Sequence, residues 1–172
     1  MAVDSCLVTT HGLQGDYNHY RAVALQNTPD RAVSLWTQDC CEWLQQQEGY
    51  PVQPGDLGEN MFLQGPDIAF DDFAPGVQLQ LRGGKDTTTA VVLEITEPVI
   101  PCANLCKLPY INDESKTPSQ RIQTCQAFLQ VLGQFPGLRG WYAKVITPGQ
   151  VHVNDVVHIS STHNSSSMVS SL

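Results

Sequence analysis

The chain has 172 residues, 17 acidic and 9 basic, giving a formal net charge of −8, and 41% of its residues are apolar. That length and apolar share predict a single domain burying roughly two thirds of its unfolded surface, which argues against disorder and against a disulfide-stapled miniprotein. The negative charge disfavours nucleic acid and anionic membrane as partners.

At the start, MAVDSCLVTTH has an acid at Asp4 and no basic stretch before an apolar run, and no apolar run reaches the roughly 18 residues of a membrane span. The expectation is a soluble, cytoplasmic protein. Six cysteines, Cys6, Cys40, Cys41, Cys102, Cys106 and Cys125, then read as thiols, because disulfides are rare in reducing compartments.

The first motif is GLQGD, where Gly12 and Gly15 bracket a tight turn leading to Asp16. Glycine turns expose backbone amides that can face an anion, although for GxxG alone a plain turn stabilised by an Asp is the commoner outcome. A strand follows from Arg31 to Trp36, opened by the Asp30 and Arg31 pair, whose guanidinium adds a fork for an oxyanion.

Helical period then runs from Gln38 to Glu48, with Thr37 as N-cap, Cys40, Trp43 and Leu44 on one face, and Gly49 at its end. The turn PGDLGEN places Asp56, Gly58, Glu59 and Asn60 before a strand ending at Leu63; these polar groups can position a ligand or cap loops. Strands are expected at Val77 to Arg82 and Ala90 to Thr96, joined as a hairpin through RGGKDTTTA.

Beyond Thr96, Pro98 and Pro101 force an extended path that delivers Cys102 to the rim of the sheet, because proline cannot sit in a central ladder. A rim thiol is reachable by a ligand, whereas the bland fate of a free cysteine is a small buried hydrophobe. Cys106 follows at i+4, as a metal pair or resolving thiol would, yet one CxxxC without a second pair is a weak zinc signal, and packing beneath the loop also accounts for it.

A second helix is predicted over Ser119 to Gln134, with Ile122, Cys125, Phe128, Leu129 and Leu132 inward and Gly133 at its end. The stretch PGLRGWYAKV sets Arg139 between Gly137 and Gly140 and Lys144 on the strand Trp141 to Ile146. With only nine cations available, Arg31, Arg139 and Lys144 are the candidates for gripping a phosphate. TPGQ suits a hairpin into a last strand, Val151 to Ile159, broken near Asn154. Residues 160–172 are Ser-rich and without period, and are expected to be a disordered tail beyond a domain spanning 1–159. Short antiparallel strands with two inserted helices make the fold class mainly β, a barrel or strongly curved sheet.

These motifs in this order, GLQGD, DRAVSL, GDLGEN with FLQG, IPCANLC, and GLRGWYAKV with TPGQV, resemble a MOSC domain, the molybdenum cofactor sulfurase C-terminal family, over Gly12 to about Val157. The resemblance implies a MOSC-type β-barrel that binds the molybdenum cofactor, a pterin with a phosphate and a dithiolene-held metal. It makes Cys102 the catalytic thiol, either a sulfur carrier or a molybdenum ligand. Gly15, Asp16, Arg31, Gly58, Glu59, Asn60, Asn104, Arg139 and Trp141 become the cofactor-binding residues.

A stand-alone member of this kind would reduce N-hydroxylated compounds with electrons from a separate redox protein, or pass sulfur from a donor protein. A non-catalytic cofactor-binding or sulfur-transfer module, and a degenerate barrel without cofactor, are the competing readings. Pyridoxal phosphate attaches only at family level, through a fused desulfurase-like domain for which these residues have no room. Many relatives carry an arginine two residues before the proline of the Pro-Cys pair, and Val99 stands there in this chain.

Overall fold

A computed structural model describes residues 3–16, 28–83 and 90–160. Its strands are β1 (Ser5–Thr9), β2 (Gly12–Leu13), β3 (Val33–Thr37), β4 (Met61–Leu63), β5 (Gln78–Arg82), β6 (Val91–Pro98), β7 (Trp141–Thr147), β8 (Gly149–His152) and β9 (Val156–Ser160). Two α-helices interrupt them, α1 (Gln38–Gln46) and α2 (Pro118–Leu132). Among the described residues no helix is long and apolar enough to cross a membrane.

Six strands form one sheet in the order β4-β3-β7-β6-β5-β9, curled into a half-barrel, and β2-β1-β8 form a second. Every pairing is antiparallel except β3 with β4. The period-2 pattern explains the curl. Leu79, Leu81, Val91, Leu93, Ile95, Trp141, Ala143 and Val145 point to one face, where Val8 and Val151 of the smaller sheet meet them in a shared core. Register shifts in β6 between Val92 and Leu93 and between Ile95 and Glu97 bend that strand as it leaves the sheet toward Cys102.

All five residues of β3 are buried, because a second core lies against its other side. There Trp36, Leu44, Ile111, Phe128, Leu132 and Leu138 pack together beneath α1 and α2. Helix α2 begins at a reciprocal cap, in which Gln120 N–H donates to Thr117 Oγ1 at 3.3 Å and Thr117 N–H donates to Gln120 Oε1 at 2.9 Å, with Pro118 in its first turn.

Several sequence expectations change. The GLQGD segment is part of a hairpin, since its Gly12 and Leu13 form β2 and pair with Thr9 and Val8 of β1. Thr147 to Gln150 is no hairpin: Pro148 cannot donate to the ladder, and the chain passes from β7 in the large sheet to β8 beside β1. Ile122 is 60% exposed; the inward face of α2 is Phe128, Val131 and Leu132. Cys106 and Cys125 are joined as a disulfide, leaving Cys6, Cys40, Cys41 and Cys102 free. Ser160 closes β9, while 161–172 of the expected tail and 84–89 of the RGGKDTTTA loop lie outside the described residues.

The loop before β7 holds the two cores in register. Trp36 Nε1–H donates to Leu138 O at 3.1 Å, the Cys40 thiol to Gly137 O at 3.7 Å, and Val99 N–H to Gly140 O at 2.8 Å. Gly140 has φ +110°, and a Cβ there would lie 2.4 Å from the Leu35 carbonyl oxygen. Gly140→Ala therefore combines left-handed strain with a backbone clash and is expected to lower stability by about 3 kcal/mol, seen as a fall in the urea midpoint at unchanged slope.

Candidate functional site

Three loop segments meet over the edge of β3. The first is the exit of β6: Pro98, Val99, Ile100 and Pro101 run extended to Cys102, whose backbone (φ −130°, ψ 160°) opens a short 3-10 turn, Ala103–Lys107. Val99 is buried and Ile100 is 77% exposed. Cys102 is a free, exposed thiol at the rim. Proline geometry explains this placement, since neither Pro98 nor Pro101 can extend the ladder on its nitrogen side.

The second segment is Gly137–Gly140, fixed from below by Trp36 and Cys40. It carries Arg139, only 8% exposed. The guanidinium donates through Nη2 to Leu57 O, while Nε and Nη1 have no hydrogen-bond partner among the described residues. Burial pushes its pKa down, and the nearby Tyr142, Glu59 and Cys102 act the other way, since their anionic forms favour the cation. A buried fork with two unmatched donors is an anion site in waiting, because leaving those donors dry costs free energy that a ligand oxyanion recovers.

The third segment is the acid-rich turn before β4. Gly55 N–H donates to Glu59 Oε1, while Glu59 Oε2 is buried without a partner. Burial pushes the Glu59 carboxyl up, opposed by the Gly55 amide and by Arg139. Gly58 has φ +73° and open space where a Cβ would stand, so the backbone is bare toward the cleft. Tyr110 Oη–H donates to Asp56 Oδ2 at 3.1 Å. Asn60 acts as a clamp: its Oδ1 accepts from Ser34 N–H and Oγ, its own N–H donates to Ser34, and its Nδ2 donates to Asp16 Oδ2 at 2.6 Å.

Between these segments lies a cleft of about 380 Å³, large enough for a small organic cofactor or substrate. Of the residues expected at the site, it gathers Arg31, Gly58, Asn60, Cys102, Asn104 and Arg139. Asp16 reaches it through Asn60, and Glu59 lies behind it near Arg139. Gly15, although at φ +84°, does not line it, nor does Trp141, which faces a separate apolar hollow with Phe70, Phe73 and Phe135. Arg31 lines the cleft while ion-paired with Glu97, and lies 5.5 Å from the Tyr142 ring centre. Lys144 pairs with Glu94 at 2.7 Å on the sheet face and does not line the cleft.

Ser34, Asp56 and Tyr142 complete the lining. Tyr142 was legible in principle: successive strand residues face opposite ways, so once Trp141 belongs to the barrel core its neighbour must face the cleft. Ser34 carries no sequence signal of its own.

No group of three or more His, Cys, Asp or Glu side chains is placed to hold a metal among the described residues. Any metal here would meet one thiolate and bring its remaining ligands with it. That donor set suits a dithiolene-held molybdenum, and the unmatched donors of Arg139, a residue lining the cleft, suit the phosphate of a pterin. Among the described residues no lysine lines the cleft, so these residues do not fit a Schiff-base cofactor such as pyridoxal phosphate.

The model of the MOSC domain matches residues 22–158. The chain belongs to the MOSC domain family. Among solved structures it is similar to the YuaD protein of Bacillus subtilis, with a TM-score of 0.67 and 18% identity over 91% of this chain and 85% of that one. YiiM of Escherichia coli is similar at a TM-score of 0.58 and 23% identity, covering 94% of this chain, which spans 65% of that longer protein. YiiM of Geobacillus stearothermophilus gives a TM-score of 0.54 at 18% identity, over 77% of this chain and 55% of that one. At such identities the likeness speaks to the fold. No curated protein matches the chain by sequence.

Two outcomes are expected from the buried charges. Arg139→Met should leave stability within about 1 kcal/mol of wild type, because an apolar side chain replaces a desolvated charge, while abolishing any thermal shift produced by inorganic phosphate. Glu59→Gln tests the raised carboxyl. An acid whose folded pKa exceeds its unfolded value favours folding below the unfolded pKa, and that contribution is lost as pH rises through the folded pKa. The Gln variant should therefore gain stability over wild type as pH rises from 4 to 7, measured by denaturant titration at each pH.

Proposed function

We propose that this MOSC protein binds the molybdenum cofactor in the cleft, through the Cys102 thiol and the Arg139 guanidinium, and reduces N-hydroxylated compounds. The observation that carries the reading is the pairing, in one cleft, of an exposed free thiol with a buried arginine holding two unmatched donors. A soft thiolate suits molybdenum, and a planar fork suits phosphate.

When bound, the cofactor would supply a metal centre able to take oxygen from an N-hydroxyl group. The chain's own residues would do the rest. Arg139 would anchor and neutralise the phosphate, the bare backbone at Gly58 would allow close approach, and Asn60 would keep the β3 edge, the acid-rich turn and Asp16 in register. Glu59, its carboxyl pushed up by burial and drawn down by the Arg139 charge, would stand behind the guanidinium and help hold it in place. The overall change, R–NHOH with two electrons and two protons giving R–NH2 and water, needs an electron source, which we assign to a separate redox protein. Sulfur carriage is the second reading, favoured by the exposure of Cys102, since a donor protein can reach a rim thiol.

Protein purified from a cofactor-making host should carry molybdenum and pterin together. Cys102→Ala should lower bound molybdenum by more than about tenfold. Arg139→Met should lower bound pterin. Wild-type protein with neither molybdenum nor pterin would sink the proposal. Turnover of a hydroxylamine with a chemical electron donor supports the reductase, whereas a persulfide mass shift on Cys102 without turnover supports the carrier.

A further inference from the structure

We propose that the Cys106–Cys125 disulfide is a redox latch on the Cys102 cleft, opened by a dithiol reductant, whose opening frees the cleft wall from helix α2. The inference deepens the functional reading above, because the segment it governs carries the thiol on which that reading rests.

The stretch between β6 and α2, residues 99–117, contains the 3-10 turn Ala103–Lys107 as its regular element. Cys102 opens that turn, and Asn104 and Leu105 from it line the cleft. The next residue, Cys106, is bonded to Cys125 in the middle of α2, with the Cα atoms 5.2 Å apart, inside the usual range for a disulfide. Helix α2 is itself fixed in the second core by Phe128, Val131 and Leu132. The bond thus ties a wall with a single short regular turn to a helix seated in the second core, closing a loop of 19 residues in sequence separation.

Without the bond the wall keeps other holds. Leu105 and Ile111 are buried in the second core, Tyr110 reaches Asp56, and Arg121 Nη1–H donates to Asn112 Oδ1 at 3.2 Å. Reduction should therefore loosen the segment and leave the domain folded. Both cysteines are half-buried, so a small thiol can reach them. Cys40 and Cys41 are poor competitors for exchange, because burial pushes their thiols up to about 12 and about 11 and little thiolate forms.

The opening step balances as a two-electron exchange. A dithiol gives two electrons and two protons to the Cys106 and Cys125 sulfurs, the S–S bond breaks, and the dithiol closes to its own cyclic disulfide.

The test uses the whole chain in oxidised and reduced dithiothreitol, with the Cys106 and Cys125 redox states read by alkylation and mass spectrometry. Amide hydrogen exchange over residues 102–112 and the rate at which iodoacetamide modifies Cys102 are then compared between the two states. The expectation is a disulfide that yields to dithiothreitol without denaturant, with both exchange and Cys102 modification rising several-fold on reduction. The double variant C106S/C125S should show the reduced pattern in the absence of dithiol, and should that variant fail to fold, the wild-type comparison decides alone. Free Cys106 and Cys125 thiols under oxidising conditions, a bond that reduces only after denaturation, or identical exchange and modification in both states would each overturn the latch. Neither readout requires bound cofactor, so a chain that never loads molybdenum still decides this question separately from the functional one.

Discussion

Burial of β3 on both faces is the constraint from which the rest of the architecture follows. A strand of five buried residues needs apolar cover on two sides, and the chain supplies it as the half-barrel core on one side and the helical core on the other. Trp36 sits on the helical side, and its indole N–H must find an acceptor in a dry interior; Leu138 O provides it. That requirement fixes the loop before β7, and with it Arg139. Thus a packing demand in the strand becomes the position of a guanidinium at the cleft.

The electrostatics of the cleft follow from how few cations the chain possesses. Arg31 and Lys144 are matched by Glu97 and Glu94, so their charges are largely spent within the protein. Arg139 differs because its neighbours satisfy one nitrogen and leave two unmatched. Such an arrangement is costly in the unliganded protein and is tolerated where a ligand repays it, so stability and binding are opposed at this residue. Val99 adds to the contrast: as a buried side chain whose N–H holds Gly140 O, it contributes to loop anchoring and offers no charge.

The strands were legible because their apolar residues alternate, and the two helices because their apolar spacing is helical, whereas the Thr117 and Gln120 cap that starts α2 went unread. The cleft thiol was legible from Pro98 and Pro101, whose effect on a strand is local. What escaped depended on distant partners. The Thr147 to Gln150 turn has hairpin chemistry, yet the fate of β8 was decided by β1, more than a hundred residues earlier. Ile122 has the right spacing for the core, but the fully buried face of α2 begins nearly two turns later, at Phe128. Pairing of Cys106 with Cys125 reflects the approach of the Cys102 segment to α2, which no local pattern encodes. Arg31, in the short 3-10 turn before β3, reads as an open cation until Glu97 of β6 is found beside it.

The parallel pairing of β3 with β4 bears on the order in which the molecule assembles. Parallel neighbours cannot be joined by a tight turn, so the chain from Gln38 to Asn60 must fold back across α1 before the three residues of β4 can find their places. The antiparallel β5 and β6 join over a far shorter connection, and the cost of closing a loop rises with its length. The β5-β6 ladder is thus kinetically favoured to form early, and the Asp56 to Asn60 wall comes late. The binding cleft is in this sense the keystone of the assembly, set in place after the arch that supports it.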